Sequence, residues 1–479
     1  MSLSAVCPLI TTDLGRFKLL VASLDKFALE PIFDEFWCCV ADPSISSELA
    51  EIDTWKFCRT PIQFIDDDEL VEPGLIKTGW YKQQVIKLLL AERVTTDFYC
   101  VFDADVLCCR PLTRSMLIDE RGRAVLQYDR QDGQVLWMKN ACRLLGYEPD
   151  ASTEWMDVTP AILSTTLTRQ LCQDIGLQRL IHWISVELTS EYSLYYINLI
   201  SKGLFETYHF VGRLISDQAV WFFPEVFTWS FGKELEKGDA PFTLYQSNIK
   251  ISDVCVRASV RPYLFPDSKF PLIRCVLRLT RVDRLGLSIG SFLEQTYPNT
   301  ELYILTELEL VMETSSRIPV CREEPTQTVG TLTAEWNEMT LYHPTRLEAQ
   351  YNLMMDRGWD ECRLGRQMVY LPSMGILKVS PVSEVGFACL SRSNSSGSPK
   401  CLDGGLHILS IYIADGTDDP YIQTIAGRTW EPYQFHVLYR EPERKRVQTR
   451  VEELLDTCRR RQLSEHDVKA IGLNDQTVK

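Results

Sequence analysis

The sequence predicts an α/β protein built on mainly parallel, doubly wound sheets, and three observations carry that expectation. The first is strand–helix alternation at the start. An apolar stretch, Ala5 to Ile10, runs into Thr11-Thr12-Asp13 as a helix cap and then into an amphipathic segment from Leu14 to about Ala28. The second is a fully apolar run, Phe98 to Phe102, that ends at Asp103-Ala104-Asp105; parallel strands buried on both faces read as such continuous runs. The third is a restart. After a proline-containing break from Arg261 to Asp267 come a strand (Leu272 to Leu279), a helix (about Val282 to Gln295), a turn at Tyr297-Pro298-Asn299 and a strand (Glu301 to Leu305).

Between these landmarks, Phe36 to Val40 and Ile62 to Ile65 read as further strands, and Trp80 to about Ala91 has apolar residues at helical spacing. A chain of 479 residues exceeds what one core ordinarily supports. The expected division is residues 1–260, 261–440, and a C-terminal helix and tail over 441–479. Ser391 to Lys400, rich in serine and glycine, reads as a mobile loop, and Glu441 to Arg461 as a charged surface helix.

Composition narrows the function. With 45% apolar and 24% charged residues the chain has the balance of a folded protein, not a disordered one. A net charge of −15 opposes nucleic-acid binding, which needs a basic surface. A nucleotide sugar is also anionic, yet a local metal or a few cationic side chains suffice for it. The 16 cysteines are scattered, and Cys38, Cys39, Cys100, Cys108 and Cys109 sit inside apolar runs, which points to free buried thiols. No C-x-x-C pair accompanies a second one, so a structural zinc site has little support. No run approaches the roughly 20 apolar residues of a membrane helix, and no basic-then-apolar leader is present, so a cytoplasmic location without a transmembrane segment is expected.

Ligands of doubly wound sheets collect at the carboxyl ends of the strands. Asp103 and Asp105 lie at such an end, and two carboxylates one residue apart can hold a hard divalent cation, Mn²⁺ or Mg²⁺, through oxygen. Such a cation stabilises the charge that develops on a departing diphosphate. Asp66 and Asp68 share the spacing but lie in an acidic run after a short strand, where solvated carboxylates are the simpler reading. Trp80, Gln84 and Lys87 share one helical face, with Gln83 beside them, and Lys87 could neutralise a phosphate. With Thr11 and Asp13 after the first strand and Asp103 after the fourth, they form the candidate donor-binding set. Glu191 and Asp157 are the candidate bases for an acceptor hydroxyl, with the helix macrodipole as the alternative reason for an acid at Glu191. His209, among aromatics, reads as a packed residue, not a metal ligand.

Several ordered motifs sharpen this. Gly79-Trp80-Tyr81-Lys82-Gln83-Gln84 with Lys87-Leu88, Phe102-Asp103-Ala104-Asp105, Arg110-Pro111-Leu112, Asp157-Val158-Thr159-Pro160 and Thr189 to Tyr195 resemble the signature of a bacterial family of GT-A-type glycosyltransferase-like proteins over residues 1 to 255. The second half resembles family-two glycosyltransferases in Pro271 to Leu302, with Gln295-Thr296-Tyr297-Pro298-Asn299, and in Glu335 to Pro344 with Arg346, Leu347 and Gln350. Where that family clusters aspartates, this chain reads Asn337-Glu338-Met339-Thr340.

These resemblances imply two tandem GT-A domains of the Rossmann-like, nucleotide-diphospho-sugar transferase type, the second with an altered metal motif. The implied activity is metal-dependent transfer of a sugar from a nucleotide-diphospho-sugar donor to a hydroxyl of a glycan or lipid-linked acceptor. The rival is a non-catalytic glycan-binding or scaffold protein built from the same folds. A nucleotidyltransferase would show a glycine-rich basic loop after the first strand, and Thr11 to Arg16 is not such a loop.

Overall fold

The computed structural model describes residues 1–413, apart from 43, 46–61, 77–78, 129–134, 150–152, 157–158, 213, 221–228, 230, 237–239, 248–252, 266–269, 282–283, 309–317, 324–330, 344, 365, 372–375, 382–388, 393–399 and 403–409. The chain divides into two compact units, Met1–Ala219 with Lys233–Gln246, and Val220–Gly232 with Ser247–Lys479.

In the first unit β1 (Leu3–Leu9) is buried along its whole length, as a mainly apolar central strand requires, with the hydroxyl of the buried Ser4 donating to Glu35. The chain continues through α1 (Leu14–Phe27), β2 (Glu35–Val40), β3 (Ile62–Asp66), α2 (Gly79–Leu89) and β4 (Phe98–Val101). After β5 (Val106–Cys108), β6 (Ala124–Leu126) and α3 (Val135–Leu145) comes β7 (Ala161–Ser164), which returns to the sheet. The sheet order is β3-β2-β1-β4-β7. The first four strands are parallel, with Val6 opposite both Trp37 and Val101, and β7 is antiparallel with Val101 opposite Ala161. Val85 and Leu88 of α2 share one buried core with Val6, Val101 and Leu163. On the other side, Phe102 meets Phe33 and Phe242 edge-on at 5.8 and 5.4 Å. After α4 (Thr165–Ile175) and α5 (Leu177–Ser185), α6 (Glu191–Ser201) packs on α3 and α2. Ser190 caps α6, its hydroxyl accepting the Ser193 N–H, as the sequence leads one to expect.

Two local expectations fail. Thr11–Asp13 forms a 3-10 turn, and Asp13 makes no side-chain cap to α1, because its own backbone is already helical. The proline break predicted at Arg261 falls inside a helix, α7 (Asp253–Leu264), which carries Pro262 in its last turn, where a missing N–H and a ring disturb few following residues. Of the predicted mobile loop, Ser391 and Arg392 belong to a strand, Cys389–Arg392, and residues 393–399 lie outside the described residues, as does the predicted helix 441–461.

His209 opens β8 (His209–Val211) and is fully buried. Tyr195 Oη accepts the Ser164 N–H at 2.9 Å, so its own proton goes to His209 Nε2 at 2.7 Å, and His209 Nδ1–H donates to the Ala124 carbonyl at 3.2 Å. Burial pulls the imidazole down to about 4, so it is neutral. In the unfolded chain a histidine protonates near pH 6.5, so stability is full above that value and falls as the pH drops towards 4, by about 3 kcal/mol. His209→Gln, which retains an acceptor and a donor, should lose this acid sensitivity in urea titrations across pH 4–7. Parallel curves for the two proteins would exclude the assignment.

The second unit starts its sheet at β11 (Ile273–Arg278), crosses through α8 (Leu285–Leu293) to β12 (Thr300–Leu305) and β13 (Val320–Cys321), and then adds β14 (Leu332–Asn337) on the far side of β11. (The intervening β9, Ser216–Val220, and β10, Phe242–Tyr245, form a small sheet with β5.) These four strands are parallel, and Cys389–Arg392 pairs antiparallel with β14. The order along the two central sheets is therefore the same, the second and third strands to one side of the first and the fourth on the other. Among the described residues no helix is long and apolar enough to cross a membrane.

Candidate active site

Because the chain leaves β1 towards β2 and β3 and returns on the opposite side at β4, the carboxyl ends of β1 and β4 form a topological switch point, where open α/β sheets bind ligands. Phe102 extends β4 by donating its N–H to the Val6 carbonyl at 2.9 Å, and the chain then turns through Asp103-Ala104-Asp105 into β5. Thr159 clamps the turn: its hydroxyl accepts the Asp103 N–H at 3.0 Å and donates to the Val101 carbonyl at 3.1 Å. Thr159 was legible only as part of a motif. Its role depends on β7 bringing residue 159 beside residue 103, which no local pattern reveals.

Lys87 reaches the turn from α2. Its Nζ lies 2.8 Å from Asp103 Oδ1 and 3.0 Å from Glu191 Oε1, and 5.3 Å from the centre of the Tyr192 ring. Lys87 and Glu191 are 5% and 3% exposed, whereas the Asp103 side chain is 35% exposed. Burial alone would favour the neutral amine; Asp103, Tyr192 and Glu191 outweigh it and hold the ammonium well above the ordinary lysine range. Burial pushes the Glu191 carboxyl up and Lys87 opposes it, so the firmly held charge in the cluster is the lysine's. The cluster thus opens to solvent at Asp103 and is closed at Glu191.

This geometry bears on two expectations. Glu191 is enclosed and engages Lys87 at the buried end of the cluster. Lys87 is committed to two carboxylates, so it orients Asp103 and is not a free cation awaiting phosphate. Asp157 lies outside the described residues. Asp105 is buried, and its carbonyl accepts the Tyr245 N–H at 3.0 Å. Gln84, one turn before Lys87, is 2% exposed, and neither atom of its side-chain amide has a hydrogen-bond partner among the described residues. Gln83 beside it is half-buried, and Trp80 stands at the rim, 47% exposed. Thr11 is exposed just past β1, its hydroxyl 3.4 Å from Asp42 Oδ2, and Asp13 is half-buried. Cys7, in β1, is held as the inert thiol by burial, by Cys38 and by Asp103.

The donor chemistry around the turn is all oxygen: Asp103, whose Oδ1 meets Lys87, is partly open to solvent, and Asp105 follows two residues on. That set fits a hard divalent cation. Asp66, Asp67 and Asp68 form the one group of three close potential ligands among the described residues. Lys82 Nζ already lies 2.7 and 2.9 Å from Asp67 and Asp68, so an ammonium stands where a cation would.

In the second unit the equivalent switch point lies between β11 and β14. Glu338, 8% exposed, follows β14 and accepts the Thr280 N–H at 2.7 Å, the Arg281 N–H at 3.2 Å and the Thr280 hydroxyl. The one carboxylate left in the altered motif is thus consumed by the loop after β11. Glu335 is exposed on β14. Behind them α9 (Arg346–Arg357) buries Arg346 against Trp336 and Tyr342, with Gln350 accepting from its Nε at 3.0 Å.

A search of curated proteins finds no match. Among solved structures, the chain is similar to the apo-form glycosyltransferase GlyE of Streptococcus pneumoniae TIGR4, at 11% identity and a TM-score of 0.31 over 67% of this chain and 80% of that one. It is also similar to an active-site mutant of LgtC, at 12% identity and a TM-score of 0.33 over 50% and 86% of the two chains. The same TM-score and coverage, at 11% identity, hold for galactosyltransferase LgtC in complex with donor and acceptor sugar analogs. Residues 1–268, more than half of the chain, match the family of unknown function DUF6492, and the protein belongs to that family.

Proposed function

We propose that the protein is a metal-dependent glycosyltransferase, moving a sugar from a nucleotide-diphospho-sugar to a hydroxyl of a glycan or lipid-linked acceptor, with its active site at the β1–β4 switch point. The observation that supports this reading is the Lys87-centred cluster, in which a buried ammonium holds a partly open aspartate at the mouth of the crevice where such sheets bind ligands. Asp103 and Asp105 would hold Mn²⁺ or Mg²⁺. When bound, the cation supplies Lewis-acid stabilisation of the leaving diphosphate.

The chain's own residues have distinct tasks in this reading. Thr159 fixes the backbone of the turn, Lys87 orients Asp103, and Glu191 keeps Lys87 charged as a positioning residue. Thr11, Asp13 and Gln83 line the donor side, and Asp157 is left as the base that takes the acceptor proton. The second unit is a GT-A-type domain without a metal site of its own, serving acceptor or partner binding, and the internal use of Glu338 favours that view. The described cysteines are all free, in keeping with a reducing, cytoplasmic compartment.

Calorimetric titration of UDP tests the central claim. Wild type with manganese is expected to bind, and Asp105→Ala, or either protein with chelator, should bind about tenfold or more weakly. Equal affinity in all four titrations would remove the metal site from the proposal.

A further inference from the structure

Trp80 and Trp137 stand at the rim of the crevice with ring centres 5.7 Å apart, and Tyr81 adds a third ring 5.1 Å from Trp80. Trp80 is 47% exposed, and with Trp137 and Tyr81 it makes a group of neighbouring rings rather than a single exposed side chain. Trp80, Gln84 and Lys87 occupy positions i, i+4 and i+7 of α2, so one helical face runs about 10 Å from solvent down to the ion cluster. Along that face the chemistry changes from indole to amide to ammonium. The facing wall is pinned: Thr189 Oγ1 donates to the Trp137 carbonyl at 3.2 Å, and Asn140 Nδ2 donates to the Leu188 carbonyl at 2.9 Å. Leu188 is held there at φ 54, the left-handed region that a leucine seldom adopts. Thr189 and Leu188 lead directly into Glu191, so the wall and the ion cluster share one short segment.

We propose that the Trp80–Trp137 pair is the acceptor subsite and that it takes a neutral pyranoside by its apolar face. The proposal rests on the transferase reading above and adds the class of acceptor. A pyranose ring has a face of C–H groups suited to an indole and an edge of hydroxyls suited to a carboxamide, and both features stand here on one helix face. A purely apolar partner would leave the Gln84 amide unmatched, which is unfavourable for a buried polar group. An anionic ligand would gain nothing from the indoles. The charged donor belongs deeper, at Asp103, which leaves the rim to the neutral substrate.

The full-length protein is titrated with the methyl α- and β-pyranosides of glucose, galactose, mannose and N-acetylglucosamine, with indole fluorescence and saturation-transfer NMR as readouts. At least one glycoside should bind saturably to wild type. Trp137→Ala should weaken it tenfold or more, Trp137→Phe should retain most of the affinity, and UDP–manganese binding should be unchanged in both. Circular-dichroism melts of the two variants verify folding. Overturning results are an absence of saturable binding by every glycoside, or equal binding by wild type and Trp137→Ala. A sedimentation change in Trp137→Ala with saccharide binding intact would assign the patch to a second copy of the chain and also overturn it. If glycosides bind through Trp137 while UDP does not bind at all, the subsite stands and the transferase reading fails.

Discussion

Lys87→Met is expected to destabilise the first unit by about 3–5 kcal/mol, because it strips the counter-ion from a carboxylate that has almost no access to water. In the wild type, Lys87 serves Asp103 and Glu191 together. Asp103 can recover hydration through its exposed portion, but Glu191, 3% exposed, cannot. The same reasoning sets the pH dependence. Burial already pushes the Glu191 carboxyl up, and removing the ammonium that opposes this raises it further, so the carboxyl becomes neutral as the pH falls. The deficit of Lys87→Met relative to wild type should therefore be largest near pH 8 and shrink towards pH 5. The double variant Lys87→Met/Glu191→Leu should recover much of the loss, since replacing a buried pair together costs far less than breaking it. Urea unfolding followed by circular dichroism measures all three proteins. A deficit below about 1 kcal/mol at pH 8 would mean that the ion pair is not the keystone of this site.

Glu338→Ala is expected to destabilise the second unit by about 2–4 kcal/mol, and Glu338→Gln by less. The alanine leaves two backbone N–H groups, of Thr280 and Arg281, and one hydroxyl without their acceptor at a largely buried turn. Hydrogen bonds to a charged acceptor contribute about 1.5–3 kcal/mol each, but water and the relaxed loop return part of that. The glutamine keeps one acceptor oxygen. The competing assignment, in which Glu338 and a displaced carboxylate such as Glu335 hold a metal, makes a different demand: the amide should abolish manganese-dependent turnover of nucleotide sugars while hardly altering stability. Unfolding curves and a donor-panel assay on the full chain separate the two. Turnover lost in Glu338→Gln but retained in Asp105→Ala would show that the second unit carries an active site.

The strands and the Asp-Ala-Asp turn were legible in the sequence because their signals are local. The apolar stretch from Ala5 to Ile10 reads as a buried strand wherever it stands, and β1 covers it from Leu3 to Leu9; an apolar run ending in two aspartates likewise marks the carboxyl end of β4. The restart after the first unit was legible for the same reason, and the parallel register of β11 with β12 and β14 follows it. Pro262 misled because a proline's effect depends on how much helix remains beyond it, which composition alone does not state.

The roles within the site were a different matter. Glu191 in a first helical turn has the same sequence signature whether it faces solvent, a substrate or a buried lysine. Only the packing of α6 against α2, residues 104 positions apart for the Lys87–Glu191 contact, chose the last of these. Glu338 likewise stands in the sequence only as the one carboxylate left in an altered motif; that its carboxylate meets the backbone of Thr280 and Arg281 emerges when β14 is laid beside β11. Which segments become strands, and where carboxylates gather at their ends, can be read along the chain, because hydrophobic periodicity and chain direction are encoded within a few residues. Tertiary structure alone decided which charges face each other and which remain open to a ligand, because desolvation and ion pairing depend on neighbours that the chain brings together from far apart.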